Sequence, residues 1–204
     1  MPFKKLIDPL KERLKEQGFE TPLPFQKLIL SKIKSGANLF GIGPVGCGKT
    51  TSIIISVINK LNGEAFEDAP RALIFVKDKV AALDLELKFK AFTRGTDLRI
   101  YAAYDEYNLE LQREDLYLGT DIVIATPKRL NRIFYLNGIN LNKLQLFIVD
   151  DAEFLFRNSN FAEVARTPES IDKCQYLIFS TKYDVRFDRW RESFMHKSRL
   201  IKIG

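Results

Sequence analysis

The sequence predicts a doubly wound α/β domain, in which helices cover both faces of a mostly parallel sheet of about seven strands. Short apolar runs, rich in Ile, Val, Leu and Phe, recur along the 204 residues, and stretches with helical spacing lie between them. Nearly continuous apolar runs are typical of strands that are covered on both faces, as in a parallel sheet. Their regular alternation with helices indicates a doubly wound layer architecture.

The predicted elements follow one another in order along the chain. The N-terminal part contains two helices rather than one, because Pro22 and Pro24 disfavour a continuous helix there. The polar stretch 61–70 is predicted to be a loop, and 158–170 is a candidate for another. The predicted strands are ANLFGIG, RALIFV, LRIYAA, DIVIAT, LQLFIVD, QYLIFS and SRLIKIG, and the predicted helices are 9–17, 26–34, 49–61, 78–92, 127–135 and 185–195.

The composition is that of an ordinary globular protein. Hydrophobic residues make up 46% of the chain and charged residues 28%, which excludes a disordered chain. No apolar segment is long enough for a membrane span, and the first residues lack the apolar centre of a signal peptide, so we expect a cytoplasmic protein. Cys47 and Cys174 match no metal spacing and are expected to be free thiols. The formal charge of +6 fits a polyanionic partner, although a mild excess of lysine also serves solubility.

A Gly-rich loop follows the first predicted strand and opens the next helix. Its sequence, GPVGCGKT, fits the phosphate-binding pattern of Gly, four residues and Gly-Lys-Thr. In such a loop the backbone N–H groups surround the phosphates, Lys49 meets the outer phosphates, and Thr50 offers a hydroxyl to Mg²⁺. The alternative is a Gly-rich turn that joins strand and helix for steric reasons alone. The predicted nucleotide-binding residues of this segment are Pro44, Val45, Gly46, Cys47, Gly48, Lys49, Thr50 and Thr51.

Two acids, Asp150 and Asp151, follow the apolar run LFIV, where a strand would leave the carboxyl edge of the sheet. Ligand sites of open α/β sheets form at that edge, and Mg²⁺ needs a hard oxygen ligand close to the phosphates. Asp150 is therefore predicted to hold the metal together with Thr50, and Asp151 to polarise the attacking water. These two acids and Lys49 are the predicted catalytic residues. The alternative is a solvated acidic turn.

Several motifs together resemble those of the first RecA-like domain of the DEAD-box RNA helicases, over almost the whole chain. GFETPLPFQ is similar to the adenine-reading Q motif, GPVGCGKT to motif I, and ATPKRL to the Ib element. VDDAE stands in the place of Asp-Glu-Ala-Asp, and FSTK in that of Ser-Ala-Thr. The resemblance implies a RecA-like P-loop NTPase fold, with residues 1–36 as the Q-motif region and 37–204 as the ATP-binding core. It also implies that the family's second helicase domain is absent from this chain.

The resemblance further implies ATP and Mg²⁺ as cofactors and assigns residues to the adenine. Phe19 would stack on the base, while Gln26 and the backbone near Thr21 would read its edges. Without the resemblance, Phe19 would be interpreted as a core aromatic and Gln26 as an exposed residue at a helix start. An aromatic face and an amide that both donates and accepts are chemically suited to selecting ATP over GTP.

An RNA surface at the Ib element is also implied, where a helix N-terminus would hold phosphate. Arg129 either adds a charge there or packs within the domain. Lysines stand where the family carries Pro-Thr-Arg-Glu and the glycine of the Ib element, and they either hold phosphates as point charges or form a solvated basic face. The implied RNA-binding residues are Thr126, Pro127, Lys128, Arg129, Lys77 and Lys79.

The chain departs from the family pattern at positions that matter for hydrolysis. Asp151 replaces Glu, and its carboxylate lies one methylene closer to the backbone, which predicts slow turnover. The resemblance implies that Ser180 links hydrolysis to domain movement through the acids of VDDAE. Glu153 replaces Asp, and Thr181 replaces Ala, so the contact between the two motifs must be rebuilt or lost. Two alanines stand where the family has Gly-Gly after the third strand.

The leading hypothesis is the ATP-binding lobe of an ATP-dependent RNA helicase. We expect a monomer that binds RNA, needs a second RecA-like lobe in the same parent chain, and is nearly inactive in isolation. The alternative is a degenerate helicase-like module with little ATPase activity that binds RNA or protein. A small P-loop kinase or GTPase is disfavoured, because it leaves GFETPLPFQ and ATPKRL without a role.

Overall fold

Seven parallel strands form the centre of the computed structural model, which describes residues 3, 5–157, 159–171 and 173–203. The strands are β1 (Leu39–Ile42), β2 (Ala72–Phe75), β3 (Ile100–Ala103), β4 (Ile122–Ala125), β5 (Leu146–Val149), β6 (Gln175–Ser180) and β7 (Arg199–Lys202). Their spatial order is β3-β4-β2-β5-β6-β1-β7, and each neighbouring pair is parallel. The predicted fold class is therefore confirmed.

Helices cover both faces of the sheet and bury two separate apolar clusters. Side chains alternate between these clusters along a strand: Ile74 lies in the first cluster, and its neighbours Leu73 and Phe75 lie in the second. The first face carries α1 (Asp8–Glu16), α2 (Pro24–Lys34), α3 (Lys49–Lys60) and α4 (Lys79–Phe92). The second carries α5 (Leu109–Tyr117), α6 (Pro127–Tyr135), α7 (Asn160–Ala165) and α8 (Phe187–Ser193).

Two helices differ from the sequence prediction. No helix was predicted at α5, whose only buried residues are Gln112 and Leu116, so its sequence has little apolar periodicity. The candidate loop 158–170 is wrong in part, because it contains α7 and a 3₁₀ turn at Pro168–Ser170. The predicted loop at 61–70 contains no helix or strand.

The sheet order brings three loops to one place. Strand β6 lies between β1 and β5, so the segments that leave these strands at their carboxyl ends are neighbours. A 3₁₀ turn, Ala152–Phe156, directly follows the acidic pair after β5. No helix within the described residues is long and apolar enough to cross a membrane.

Candidate functional site

The loop after β1 and the turn after β5 meet at the carboxyl edge of the sheet. Thr50 Oγ1 donates a hydrogen bond to Asp150 Oδ2 at 3.1 Å, across 100 positions of the sequence. Thr50 is the second residue of α3, and Asp150 directly follows β5. The structure thus brings together the two residues that the sequence assigns to a metal ion.

The Gly-rich loop has a backbone that only glycine adopts easily at two positions. Gly46 and Gly48 have φ angles of 83° and 95°. A Cβ at Gly48 would lie 2.6 Å from Gln26 Nε2, so a side chain there would collide with the Q-motif region. Of the other loop residues, Pro44 and Val45 are exposed, while Cys47 and Thr51 are half-buried.

Lys49 lies folded onto its own loop. Its side chain is largely buried, and Nζ donates to the carbonyl oxygens of Gly43 at 2.9 Å and Pro44 at 3.1 Å. These carbonyls hold the ammonium group against the loop, and it has no carboxylate within salt-bridge distance among the described residues. The oxygens of a phosphate would offer the charge that these neutral acceptors lack.

Asp150 occupies an electrostatically unfavourable position. Burial raises its pKa to about 6, and the negative charge of Asp151 adds to the rise. Hydrogen bonds from Thr50 and from the Asp151 N–H, at 3.1 Å, oppose the rise only in part. A divalent cation would relieve this cost, because it adds positive charge beside a carboxylate whose burial the charge of Lys49 does not offset.

The donor set fits Mg²⁺. The hydroxyl of Thr50 and the carboxylate of Asp150 are hard oxygen ligands, and a small cavity of about 110 Å³ adjoins them. Mg²⁺ usually keeps several waters and takes one or two protein ligands plus substrate phosphates, which matches this open arrangement. Asp151 also lines the cavity, and its side chain is exposed.

Asp151 has a left-handed backbone, with φ 48° and ψ 56°. Asp and Asn adopt this conformation more readily than other residues with a side chain, because their short polar groups bond locally. The acid that replaces the family's Glu therefore suits the turn as it is folded here.

Gln26 connects the Q-motif region to the Gly-rich loop. It is 1% exposed, which shows that the interpretation as an exposed helix-start residue is wrong. Its Oε1 accepts from the Leu23 N–H at 2.8 Å, and its Nε2 donates to the Gly48 carbonyl at 3.5 Å. The amide is thus held in one orientation beside the loop.

Phe19 and Thr21 precede α2, the helix that carries Gln26. The ring of Phe19 is half-buried and packs against Phe92 of α4, with the ring centres 5.7 Å apart. Thr21 is exposed. Phe19 therefore takes part in the first apolar cluster, as the core interpretation expects, while part of its surface stays accessible.

The contact between VDDAE and FSTK is rebuilt with new partners. Glu153 accepts hydrogen bonds from both the N–H and the hydroxyl of Thr181. Burial raises the pKa of Glu153, but the bonds from Thr181 outweigh it, and the net pKa lies below the usual value. Ser180 is buried, and its hydroxyl donates to the Lys182 carbonyl at 2.8 Å. The carboxylate and hydroxyl that replace the family's residues thus join the two motifs.

At the Ib element, side chains are engaged by the loop after β3. Thr126 Oγ1 donates to Asp105 Oδ2 at 2.8 Å, so it does not cap α6. Arg129 is 2% exposed and donates to the carbonyls of Asp105 and Tyr107, while its Nε and Nη1 have no partner among the described residues. Of the two alternatives for Arg129, the structure favours packing within the domain. Pro127 is buried.

The three lysines assigned to RNA lie on the surface. Lys77 and Lys128 are exposed, and Lys79 is half-buried with its ammonium 5.3 Å from the ring centre of Tyr104. Lys77 lies 3.8 Å from Asp78. The sequence analysis did not predict the contacts of Asp105 with Thr126 and of Tyr104 with Lys79. Polar residues directly after a strand were the available signal, because they lie at the carboxyl edge of the sheet.

The chain matches the family model of the DEAD/DEAH box helicases over residues 23–184. The chain belongs to the DEAD/DEAH box helicase family. Among curated relatives, the ATP-dependent RNA helicase DBP10 of Phaeosphaeria nodorum is 27% identical over 95% of this chain and 22% of that protein. The ATP-dependent RNA helicase ddx54 of Dictyostelium discoideum is 32% identical over 81% of this chain and 15% of that protein.

Solved DEAD-box structures share the fold. A DEAD box protein from Methanococcus jannaschii superposes with a TM-score of 0.90 at 21% identity, covering 98% of this chain and 54% of that one. The yeast DEAD-box splicing factor Prp28 gives a TM-score of 0.89 at 18% identity, covering 99% of this chain and 50% of that one. This DEAD-box chain therefore spans less than a quarter of the curated relatives and about half of the solved chains.

Proposed function

We propose that this chain is the ATP-binding lobe of an ATP-dependent RNA helicase, which binds ATP with Mg²⁺ and one side of an RNA strand. The observation that carries the proposal is the convergence of Lys49, Thr50 and Asp150 at one sheet edge, with Gln26 bonded to the same loop. Membership of the family and the names of its relatives support the class of activity.

The residues of the edge have separate roles in this proposal. Lys49 leaves its carbonyl partners and binds the outer phosphates, while Thr50 and Asp150 hold the metal ion. Mg²⁺ supplies charge neutralisation at the phosphoryl oxygens when it is bound. Asp151 orients the attacking water from its exposed position beside Asp150. Glu153 and Thr181 transmit the state of this edge to the segment after β6.

The adenine is proposed to lie against the Q-motif region. Gln26 is suited to reading it because its amide is already oriented by Leu23 and Gly48. Phe19 offers the accessible part of its ring, and the backbone near Thr21 adds hydrogen-bonding groups. This arrangement favours ATP over GTP, because the donor and acceptor of the Gln26 amide match the edge of adenine and would be left unpaired against guanine.

RNA is proposed to cross the N-terminus of α6. No side chain caps this helix, and the buried guanidinium of Arg129 with its unpartnered nitrogens adds positive charge below it. The amides of residues 127–129 and the exposed Lys128 are suited to phosphate, and Lys77 and Lys79 follow β2, the strand beside β4 in the sheet. We also propose that hydrolysis needs a second RecA-like lobe of the same parent chain, so the isolated lobe turns over slowly. The isolated lobe is proposed to be a monomer.

A calorimetric titration with Mg·ADP and Mg·GDP tests the nucleotide site. The protein as it stands is compared with Gln26→Ala and with Lys27→Ala, an exposed neighbour on the same helix. We expect selective binding of Mg·ADP, weakened about 2- to 10-fold by Gln26→Ala and unchanged by Lys27→Ala. Thermal unfolding checks that Gln26→Ala still folds, since Gln26 also bonds the main chain. Equal binding of both nucleotides by the folded protein would contradict adenine reading.

The second candidate function is a degenerate module that binds RNA or protein with little ATPase activity. The observation that favours it is the shorter acid, Asp151, on a turn that suits Asp better than Glu. Absence of nucleotide binding in the titration would support this candidate. Joining the chain to a second lobe of a family member and comparing Asp151→Glu with the unchanged protein separates the candidates, because only a live site gains turnover.

A further inference from the structure

Two tyrosines stand at the edge of the proposed RNA surface, in the loop between β3 and α5. The rings of Tyr104 and Tyr107 are 6.1 Å apart and tilted by 55°. Lys79 lies over the ring of Tyr104, and that ring packs against the first apolar cluster. Tyr107 is 46% exposed, so its ring is the one that offers surface to a ligand.

The loop that carries Tyr107 is tied to the Ib element at several points. Thr126 bonds the carboxylate of Asp105, and Arg129 bonds the carbonyl of Tyr107 at 2.9 Å. On its other side, Asn108 accepts hydrogen bonds from the first turn of α5 at 2.9 and 3.2 Å. The main chain on both sides of Tyr107 is therefore held, and a partner that binds its ring meets a preordered group.

The exposed side chains of this part of the surface balance in charge, so the buried guanidinium of Arg129 is left as its net positive charge. Lys77, Lys79 and Lys128 are opposed by three exposed acids, Asp78, Asp105 and Glu106. One of these acids also engages the hydroxyl of Thr126, which the family resemblance assigns to phosphate. An interaction that does not depend on net charge would strengthen the binding of a strand here.

We propose that Tyr107 is a stacking contact for an unpaired base of single-stranded RNA, beside the phosphate-binding start of α6. The inference rests on the proposed function, because it needs an RNA strand at that helix. A base can stack on an aromatic ring only when it is unpaired and splayed from the strand, so this contact selects single-stranded over duplex RNA. Stacking is tolerant of sequence, since every base has an aromatic face.

Binding of a labelled single-stranded oligoadenylate, measured by fluorescence anisotropy at low salt, tests the contact. The protein is compared with Tyr107→Ala, with Tyr107→Phe and with Tyr117→Ala, a tyrosine that is 83% exposed at the other end of α5. We expect Tyr107→Ala to weaken binding about 5- to 150-fold, and the other two variants to bind within about twofold of the unchanged protein. A second ligand is an abasic oligoribonucleotide of the same length, which carries the same phosphates but no bases.

For the abasic strand we expect weak binding that Tyr107→Ala does not change. Equal losses on both strands would overturn the stacking contact and assign Tyr107 to the backbone or to the fold. Unchanged oligoadenylate binding in Tyr107→Ala would also overturn it, and would point to a protein partner for Tyr107 and the neighbouring exposed Leu111. RNA binding in that case would leave the proposed function standing. No binding of either strand by a protein that binds Mg·ADP would overturn this inference together with the RNA part of the proposed function.

Discussion

Replacing Asp150 by Asn is expected to stabilise the ligand-free fold while removing Mg²⁺-dependent nucleotide binding. The carboxylate is 8% exposed, and Lys49, whose positive charge acts on it, is bonded to carbonyl oxygens instead. Asn keeps the size of the side chain and an oxygen that accepts from Thr50, but it removes the buried negative charge. Without its cation, the site therefore lowers the stability of the fold, as sites that bind a charged ligand often do.

The magnitude follows from the pKa of Asp150. Burial and the charge of Asp151 raise it from 3.8 to about 6. A folded-state pKa above the unfolded value means that the folded state binds more protons between about pH 4 and 6, so stability falls as pH rises through that window. The full shift corresponds to about 3 kcal/mol at neutral pH. Because the Asn side chain keeps only part of the local bonding, we expect Asp150→Asn to raise the free energy of unfolding by about 1–3 kcal/mol.

Urea unfolding in the presence of EDTA measures the effect at neutral pH and at about pH 3, where Asp150 is mostly protonated in both states and the difference should nearly vanish. Asp84→Asn is the matched control, since Asp84 lines the same cavity but is half-exposed and paired with Lys88 at 2.6 Å. That change should cost no more than about 1 kcal/mol. Addition of Mg·ADP should stabilise the unchanged protein and not Asp150→Asn. Destabilisation by Asp150→Asn at neutral pH, or a gain of equal size at both pH values, would refute the reasoning.

Three further predictions concern the turn after β5 and the opposite end of the sheet. Asp151→Glu, in a protein joined to a second lobe, should raise single-turnover ATP hydrolysis about tenfold, because the longer side chain reaches further toward the water. It should cost less than about 1 kcal/mol of stability, since a φ of 48° suits Asp better than Glu. Unchanged hydrolysis would count against Asp151 as the acid that orients water. Thr181→Ala should lower the free energy of unfolding by about 0.5–1.5 kcal/mol and raise the pKa of Glu153, because a hydroxyl bond to the carboxylate is lost. A titration of the Glu153 carboxylate followed by NMR would contradict this if it showed no rise. Asp121→Ala should lower the free energy of unfolding in urea by about 3–5 kcal/mol, because the buried Arg71 loses the carboxylate that lies 2.6 Å from its guanidinium group. A loss below about 1 kcal/mol would show that the arginine finds another partner.

Much of the site lies in short contiguous motifs, and such motifs were accessible from the sequence. GPVGCGKT needs only its own strand and helix to take shape, and the apolar run before Asp150 indicates the end of a strand. The paired contacts that cross the fold were not accessible in the same way. Glu153 and Thr181 lie 28 positions apart, and Thr126 and Asp105 lie 21 apart, so only the sheet order makes them neighbours.

The helix α5 shows a different limit. Its sequence buries only Gln112 and Leu116, and an N-cap at Asn108 is its clearest local signal. Helices with so little apolar periodicity are stabilised mainly by what they pack against, which a single sequence does not display. The same helix orders the loop that carries Tyr107.

The sequence by itself determined the parallel α/β architecture, the Gly-rich loop between β1 and α3 and the acid that follows β5, because periodicity and short motifs act through neighbouring residues. The tertiary structure alone decided that Gln26 is buried against Gly48, that Arg129 bonds the main chain of the loop after β3, and that Thr181 contacts Glu153. These outcomes depend on which strands lie side by side and how closely their loops approach. Burial and hydrogen-bond partners are properties of that packing, and they determine what each side chain is free to bind.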